Sequence, residues 1–336
     1  MNPFRISTAP TIRRYAASAC AALLLAACTN DDALSGADCE HLSNTPVTFN
    51  TRVQTALPQA TPATRTTIDA DGQTQWSEGD AVGVFMLRAG GIMSYDIILG
   101  ADNVKHNVAP TSGALSPAGT PIYYPQAGKV DFIALYPYSN KGTGNGEITP
   151  TYRYAISVAD QSHPEAIDVL YAKAKGQERT KSPVALGFGH VLSKIKLNIK
   201  LGDGLMGLTA DKITAVTLTG MPASATLVLQ DGTLIPGAAG NIAAVKEAKP
   251  SAGAMVTFTA LVPPQAANSY TRSIIVTVDG EEYTGTIPDA HAYVNNEMNI
   301  YPVTVQKSGI IVGEPEIGKW TTNDHVTEEA DIVQKN

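Results

Sequence analysis

The chain has 336 residues, a formal charge of −7 and 6% aromatic residues. An acidic chain lacks the basic footprint that nucleic acid demands, and it does not suit charge-driven binding to anionic lipid. Thr, Val, Ile, Gly and Pro are plentiful and no long stretch keeps a 3.6-residue apolar period, so the composition reads as all-β.

The first residues read as a leader. Arg5, Arg13 and Arg14 form a positive n-region, and Ala16 to Ala27 is apolar apart from Ser18. That run is too short to span a bilayer but suits a signal-peptide h-region. It closes on Leu25-Ala26-Ala27-Cys28, which resembles a bacterial lipobox. The resemblance implies a signal peptide at 1–27 and an acylated Cys28 as the first mature residue. Each buried CH₂ of an acyl chain adds ~0.8 kcal/mol, so two or more chains anchor stably. No later segment is long and apolar enough for a transmembrane helix, which leaves the lipid as the membrane attachment. The mature chain then has 309 residues and a charge of −10. Cys20 leaves with the leader and Cys39 has no internal partner, so no disulfide is expected. The cysteine spacing also excludes a Cys-based zinc site.

Residues 28–45 form a polar tether, too poor in apolar groups to fold. Asp31 and Asp32 beside the acylated Cys28 resemble the acidic signal that sends some lipoproteins to the outer face of the outer membrane. Val47-Thr48-Phe49-Asn50 with Val53 is a short first strand. Gln54 to Thr67, with Pro58 and Pro62, reads as an exposed loop. Strands then follow densely: Ala81 to Leu87, Met93 to Leu99, Val130 to Tyr136 and Thr151 to Val158. Ile167 to Ala172 fits a strand or one helical turn. Val191 to Leu201 alternates apolar Ile195, Leu197, Ile199 and Leu201 with Lys194, Lys196, Asn198 and Lys200, a half-buried strand. Further strands are expected at Ile213 to Leu218, Ala225 to Leu229, Met255 to Leu261, Ser273 to Val278, Tyr283 to Ile287, Asn299 to Gln306 and Gly309 to Val312. Asp231-Gly232 and Asp279-Gly280 supply hairpin turns. With about seven strands either side of a boundary near 180, this predicts two β-sandwich domains, 46–180 and 181–320, and a polar tail at 321–336.

Catalytic equipment is missing from the pattern. There is no HExxH, no Cys/His cluster and no Gly-x-Ser-x-Gly elbow. Gly142-Thr143-Gly144-Asn145-Gly146 lacks the Lys-Ser/Thr of a P-loop and reads as a loop tip. No catalytic, cofactor-binding or metal-binding residue is assigned, no cofactor is expected and the chain does not read as an enzyme. Trp76 and Asp80 read as structural, the Trp by its apolar bulk and the Asp by its place in a turn. His190 reads as a core or junction histidine bonded to backbone.

Several motifs come in one order. Thr64-Arg65-Thr66 precedes Trp76-Ser77-Glu78-Gly79-Asp80-Ala81-Val82-Gly83-Val84-Phe85-Met86, then Tyr136-Pro137-Tyr138. Ala159-Asp160-Gln161-Ser162, Ile167-Asp168-Val169-Leu170-Tyr171-Ala172 and Phe188-Gly189-His190-Val191-Leu192-Ser193-Lys194-Ile195 follow. With the lipobox, this ordered set resembles the fimbrillin (type V pilin-like) surface lipoproteins over roughly residues 20 to 200. The resemblance implies two tandem transthyretin-like β-sandwich domains and a role as pilus stalk, anchor or tip subunit. It further implies cleavage after Arg65, giving Thr66 as a new N terminus, loss of the first strand, and a groove filled by the C-terminal region of the next subunit. Ser308 to Trp320 is the expected donor. The implied partners are other fimbrial subunits, the outer membrane through the lipid on Cys28, and a host or glycan ligand; the implied location is the surface-exposed outer membrane and the fimbrium. The alternative is a non-polymerising surface lipoprotein that binds glycans or host ligands, which the low aromatic content disfavours mildly.

Overall fold

Short β-branched and aromatic runs, cut by Gly, Asn and Asp, make strands the dominant regular structure among the described residues. The computed structural model describes residues 42–54, 67–68, 74–144 and 146–320. The first half holds β1 (Leu42–Pro46), β2 (Phe49–Gln54), β3 (Thr67–Ile68), β4 (Thr74–Gln75), β5 (Ala81–Arg88) and β6 (Val104–Val108). It continues through β7 (Ala114–Pro117), β8 (Tyr123–Pro125), β9 (Val130–Tyr136), β10 (Arg153–Ser157), α1 (Pro164–Ile167), β11 (Leu170–Gln177) and β12 (Val184–His190). The second half holds β13 (Ser193–Leu201), β14 (Ile213–Pro222), β15 (Ser224–Val228), β16 (Thr233–Pro236), β17 (Ala239–Ala243) and β18 (Val245–Lys246). Then come β19 (Val256–Val262), β20 (Ser273–Val278), β21 (Glu281–Thr286), β22 (Glu297–Gln306), β23 (Gly309–Val312) and β24 (Glu316–Lys319).

The chain is therefore all-β, with one four-residue α-helix among the described residues. Seven strands of the first half close a barrel in the order β11-β12-β2-β7-β6-β5-β9. The second half makes one sheet in the order β18-β19-β13-β22-β23, with β24 also on β22, and another in the order β17-β14-β20-β21. β12 completes the barrel, so the chain passes from barrel to second sheet between His190 and Ser193, beyond the expected boundary at 180.

The two halves share a core. β9 is buried at every residue because both its faces are covered. Phe132 and Ala134 face the barrel interior with Val84 and Phe188. Ile133 and Leu135 face outward and pack with Phe85, Tyr154 and Leu227 into the core of the second half. That outer cover is a three-stranded sheet, β10-β15-β16, so a hairpin from the second half lies on the first-half barrel. Polar contacts fix it: the Tyr171 hydroxyl donates to the Leu229 carbonyl at 3.0 Å and Lys173 Nζ to the Gln230 carbonyl at 2.6 Å. Gly232 turns this hairpin at φ +82°, and a Cβ there would lie 2.7 Å from the Tyr171 ring.

Four sequence expectations change. Leu42 to Thr45, expected in the polar tether, belongs to β1, which pairs with β8 at Leu42↔Pro125 and Pro46↔Tyr123. Met93 to Leu99 is a turn, not a strand, because the Asp96 carboxylate accepts the Ile92 N–H at 2.7 Å while the Tyr95 and Asp96 N–H groups donate to the Ile92 carbonyl. Among the described residues, strands number twelve on each side of residue 191, not about seven, since several have only two to five residues. The lysine face of β13 is partly covered: Lys196 is buried, with Nζ 3.8 Å from Glu247.

Candidate strand-exchange groove

Phe49-Asn50-Thr51-Arg52-Val53 alternates inward and outward side chains at the period of a strand. Phe49, Thr51 and Val53 are buried, while Asn50 and Arg52 face solvent. The strand they form, β2, lies between β12 and β7. It runs parallel to β12 over a register from Phe49↔Val184 to Gln54↔Gly189. Its pairing with β7 is short, Phe49↔Leu115 and Asn50↔Ala114. Thr51 extends that side: its N–H and its hydroxyl both donate to the Gly113 carbonyl, at 2.9 and 2.8 Å. Gly113 has φ +66°, and a Cβ there would meet the Thr51 carbonyl oxygen at 2.5 Å. Only glycine allows so close an approach.

Aromatic edges grip the strand. The Phe49 ring meets His106 at 5.4 Å and Phe132 at 5.1 Å, both nearly perpendicular. His106 is buried, and its Nδ1 lies 2.9 Å from the Val104 carbonyl. Burial lowers its pKa below the ordinary 6.5, and the bond to Val104 opposes that only in part. Phe188 stands opposite Val53, and Trp76 packs edge-on against Phe188 at 5.4 Å and Tyr136 at 5.3 Å. Asp80 holds this corner, accepting from the Tyr136 hydroxyl and the Ser77 N–H at 2.8 Å each. Trp76 and Asp80 are thus structural, as their sequence setting predicts.

Among the described residues, β2 alone bridges β12 to β7. Without it, both strands would carry unpaired N–H and C=O groups flanking a slot shaped for Phe49 and Val53. Each such side chain contributes about 1.5–3 kcal/mol when fully buried. A slot of that shape would suit an extended segment that alternates apolar and polar residues, as β2 itself does.

A family model for fimbrillin-like proteins matches residues 64–320. The chain belongs to the fimbrillin-like family. Among solved structures, it is similar to a candidate cell adhesion protein from Bacteroides uniformis, at 26% identity and a TM-score of 0.58, over 73% of this chain and 93% of that one. A second candidate cell adhesion protein, from Bacteroides ovatus, shares the fold at 21% identity and a TM-score of 0.59, over 84% of this chain and 99% of that one. No curated protein matches the chain.

In this fimbrillin-like protein, Cys28, Arg65 and Thr66 lie outside the described residues. The segment expected to be a donor, Ser308 to Trp320, pairs within its own sheet. β23 runs antiparallel to β22 from Val303↔Val312 to Gln306↔Gly309, and β24 from Glu297↔Lys319 to Ile300↔Glu316. Trp320 is buried and stacks on the His190 ring at 4.0 Å and 12°. His190 corrects the sequence reading: its ring bonds a carboxylate, Asp168 Oδ1, at 2.7 Å, not a backbone group. The His190 backbone N–H donates to Asn296 Oδ1 at 3.3 Å. Sequence reasoning noted His190 and Trp320 separately but missed their contact. No spacing signals it, because the partners lie 130 residues apart in the chain. The described residues hold no group of three His, Cys, Asp or Glu side chains placed for a metal ion, and no helix long and apolar enough to cross a membrane.

Proposed function

We propose that this fimbrillin-like protein is a structural or adhesive component of fimbriae, assembled by donor-strand exchange after export as a lipoprotein. In this reading Cys28 carries the lipid that holds the subunit at the outer membrane, exposed on the cell surface. Cleavage after Arg65 leaves Thr66 as the N terminus, and β2 departs with the released piece. The C-terminal segment of another fimbrial subunit then occupies the groove between β12 and β7. Two transthyretin-like domains, one either side of the junction, belong to the same reading. The observation that carries it is the place of β2: N-terminal to the cut, and the bridge that closes the barrel. Main-chain bonds and alternate side chains give an incoming strand both affinity and register.

A second reading is a surface lipoprotein that binds glycans or host ligands without polymerising. The self-pairing of β23 and β24 on β22, with Trp320 locked on His190, favours it. Cleaving purified protein after Arg65 and running size exclusion separates the two. Strand exchange predicts multimers from the cleaved chain and none from a cleaved chain ending at Gln306. No multimers from either would favour the second reading, and multimers from both would place the donor elsewhere.

A further inference from the structure

A buried charge persists only where something answers it. Among the described residues, Asp168 meets His190, Lys196 lies 3.8 Å from Glu247, and Asp131 accepts the Gly90 and Gly176 N–H groups at 3.0 and 2.7 Å. Arg272 differs. It is 0% exposed, at the end of the loop between β19 and β20, and no carboxylate among the described residues pairs with it. Its Nη1 donates to the His291 carbonyl at 2.7 Å and its Nη2 to the Ala266 carbonyl at 3.4 Å. The guanidinium lies 3.8 Å above the Tyr293 ring. Carbonyls and a ring face supply dipoles, not a negative charge. The phenols supply none either. Burial holds Tyr293 and Tyr301, whose hydroxyls meet at 3.1 Å, above the ordinary 10, so both stay neutral.

Further donors gather on the same face. Gln265 and Tyr293 stand opposite each other and exchange both main-chain bonds, at 2.8 and 2.9 Å. Opposite residues of an antiparallel pair project to one face. The Gln265 side chain therefore shares the face on which the guanidinium covers Tyr293. Gln265 is 4% exposed, and neither its Nε2 nor its Oε1 has a hydrogen-bond partner. Arg272 Nε and the buried Nε2 of His291 are likewise without one. Native proteins rarely leave buried polar atoms unsatisfied, and a bound ion is one of the few explanations when they surround an unpaired cation. The two loops are held in place by their own main chains. The Ile287 N–H donates to the Arg272 carbonyl at 3.0 Å and the Asn268 N–H to the Asp289 carbonyl at 2.8 Å.

We infer that Arg272 and Gln265 form a binding site for a small monovalent anion of the halide class, chloride foremost. The Arg272 Nε–H and the Gln265 amide N–H groups are its donors, and half-buried His291 marks its solvent side. A larger anion does not suit the site, because Arg272, Gln265, Tyr293 and Tyr301 are all closed off from solvent. The anion neutralises the guanidinium and joins the β19–β20 loop to the β21–β22 loop. Asn296, the last residue of the second loop, accepts the His190 backbone N–H. Chloride thus stiffens the second half where it meets the first.

The test uses the chain from residue 28 with Cys28→Ala, which keeps it free of lipid. Crystals grown with bromide in place of chloride should show an anomalous peak within hydrogen-bond reach of Arg272 Nε and Gln265 Nε2. A water at that point, or bromide on the surface only, would overturn the inference. In solution, urea unfolding is compared in sodium chloride and in sodium gluconate at equal ionic strength. A site half-filled near about 10 mM chloride raises the folding constant roughly tenfold at about 100 mM. Gln265→Leu, which keeps the volume and loses the donors, should remove most of that gain. Gln126→Leu, on an exposed loop, should keep it. Equal stability in the two salts, or an undiminished gain in Gln265→Leu, would also overturn the inference. If Gln265→Leu does not fold, the bromide map of the unaltered site decides. β2 and the Arg65 loop stay intact throughout, so a failure of strand exchange leaves this result untouched.

Discussion

Gly113 shows how much of the groove is decided by single residues. Its positive φ and its lack of a Cβ, which would meet the Thr51 carbonyl oxygen at 2.5 Å, let β2 lie against the end of β7. Gly113→Ala should cost about 2–3 kcal/mol, from strain plus the clash, against about 1 kcal/mol for Gly79→Ala, which has positive φ but open space. Urea unfolding of both variants checks this, and equal losses would mean that β2 tolerates displacement from β7. His106, packed on Phe49, gives the groove a pH dependence. Its folded pKa is held below 6.5 by burial, so the unfolded chain takes up the proton first. Stability from this group is complete above about pH 6.5 and falls as pH drops towards the folded pKa. The urea midpoint should therefore decline between pH 7 and 5, and decline less in His106→Gln; parallel curves would show that His106 does not sense the change. Nothing in the sequence around His106 hinted at this, because its burial comes from Phe49, far away in the chain. Trp76 and Asp80 were legible, since bulk and a Gly-Asp turn act locally. His190 was half legible: a junction histidine, yet its Asp168 and Trp320 partners come from distant segments.

Among the elements, strands with a clean two-residue alternation or a continuous apolar run were readable to within a residue or two. β5, β9, β13 and β20 are the clear cases, because burial on one face or both writes itself into the side chains. Met93 to Leu99 misled for a physical reason. Its partial alternation of apolar and polar residues falls on a turn organised by Asp96, and periodicity cannot tell a turn from a strand over so few residues. β2 was legible as a strand but not as a bridge between β12 and β7, since parallel pairing across more than a hundred residues leaves no local trace. Its grip is testable. Phe49→Ala should cost about 3–4 kcal/mol, the usual loss for a buried Phe, and should raise hydrogen exchange in β12 and β7 while β13 and β22 stay protected. Uniform loss of protection would mean that β2 cannot leave without unfolding the chain.

For the whole molecule, the ordered motifs were enough to place the chain in its family, because they map to structural corners. Gln161, for example, accepts from the Leu261 N–H at 2.9 Å and donates to the Leu261 carbonyl at 3.1 Å, tying the first half to the second. The sequence could not foresee that the β15–β16 hairpin lies on the barrel, and this contact makes the core continuous. Calorimetry should show one cooperative transition for the intact chain; two well-separated transitions would mean that the halves unfold independently. The central claim is that β2 is a temporary occupant of a groove meant for another subunit's strand. The most direct measurement is the N-terminal residue of the protein recovered from assembled surface material. Strand exchange after cleavage predicts Thr66, whereas an acylated Cys28 on the assembled protein would contradict it.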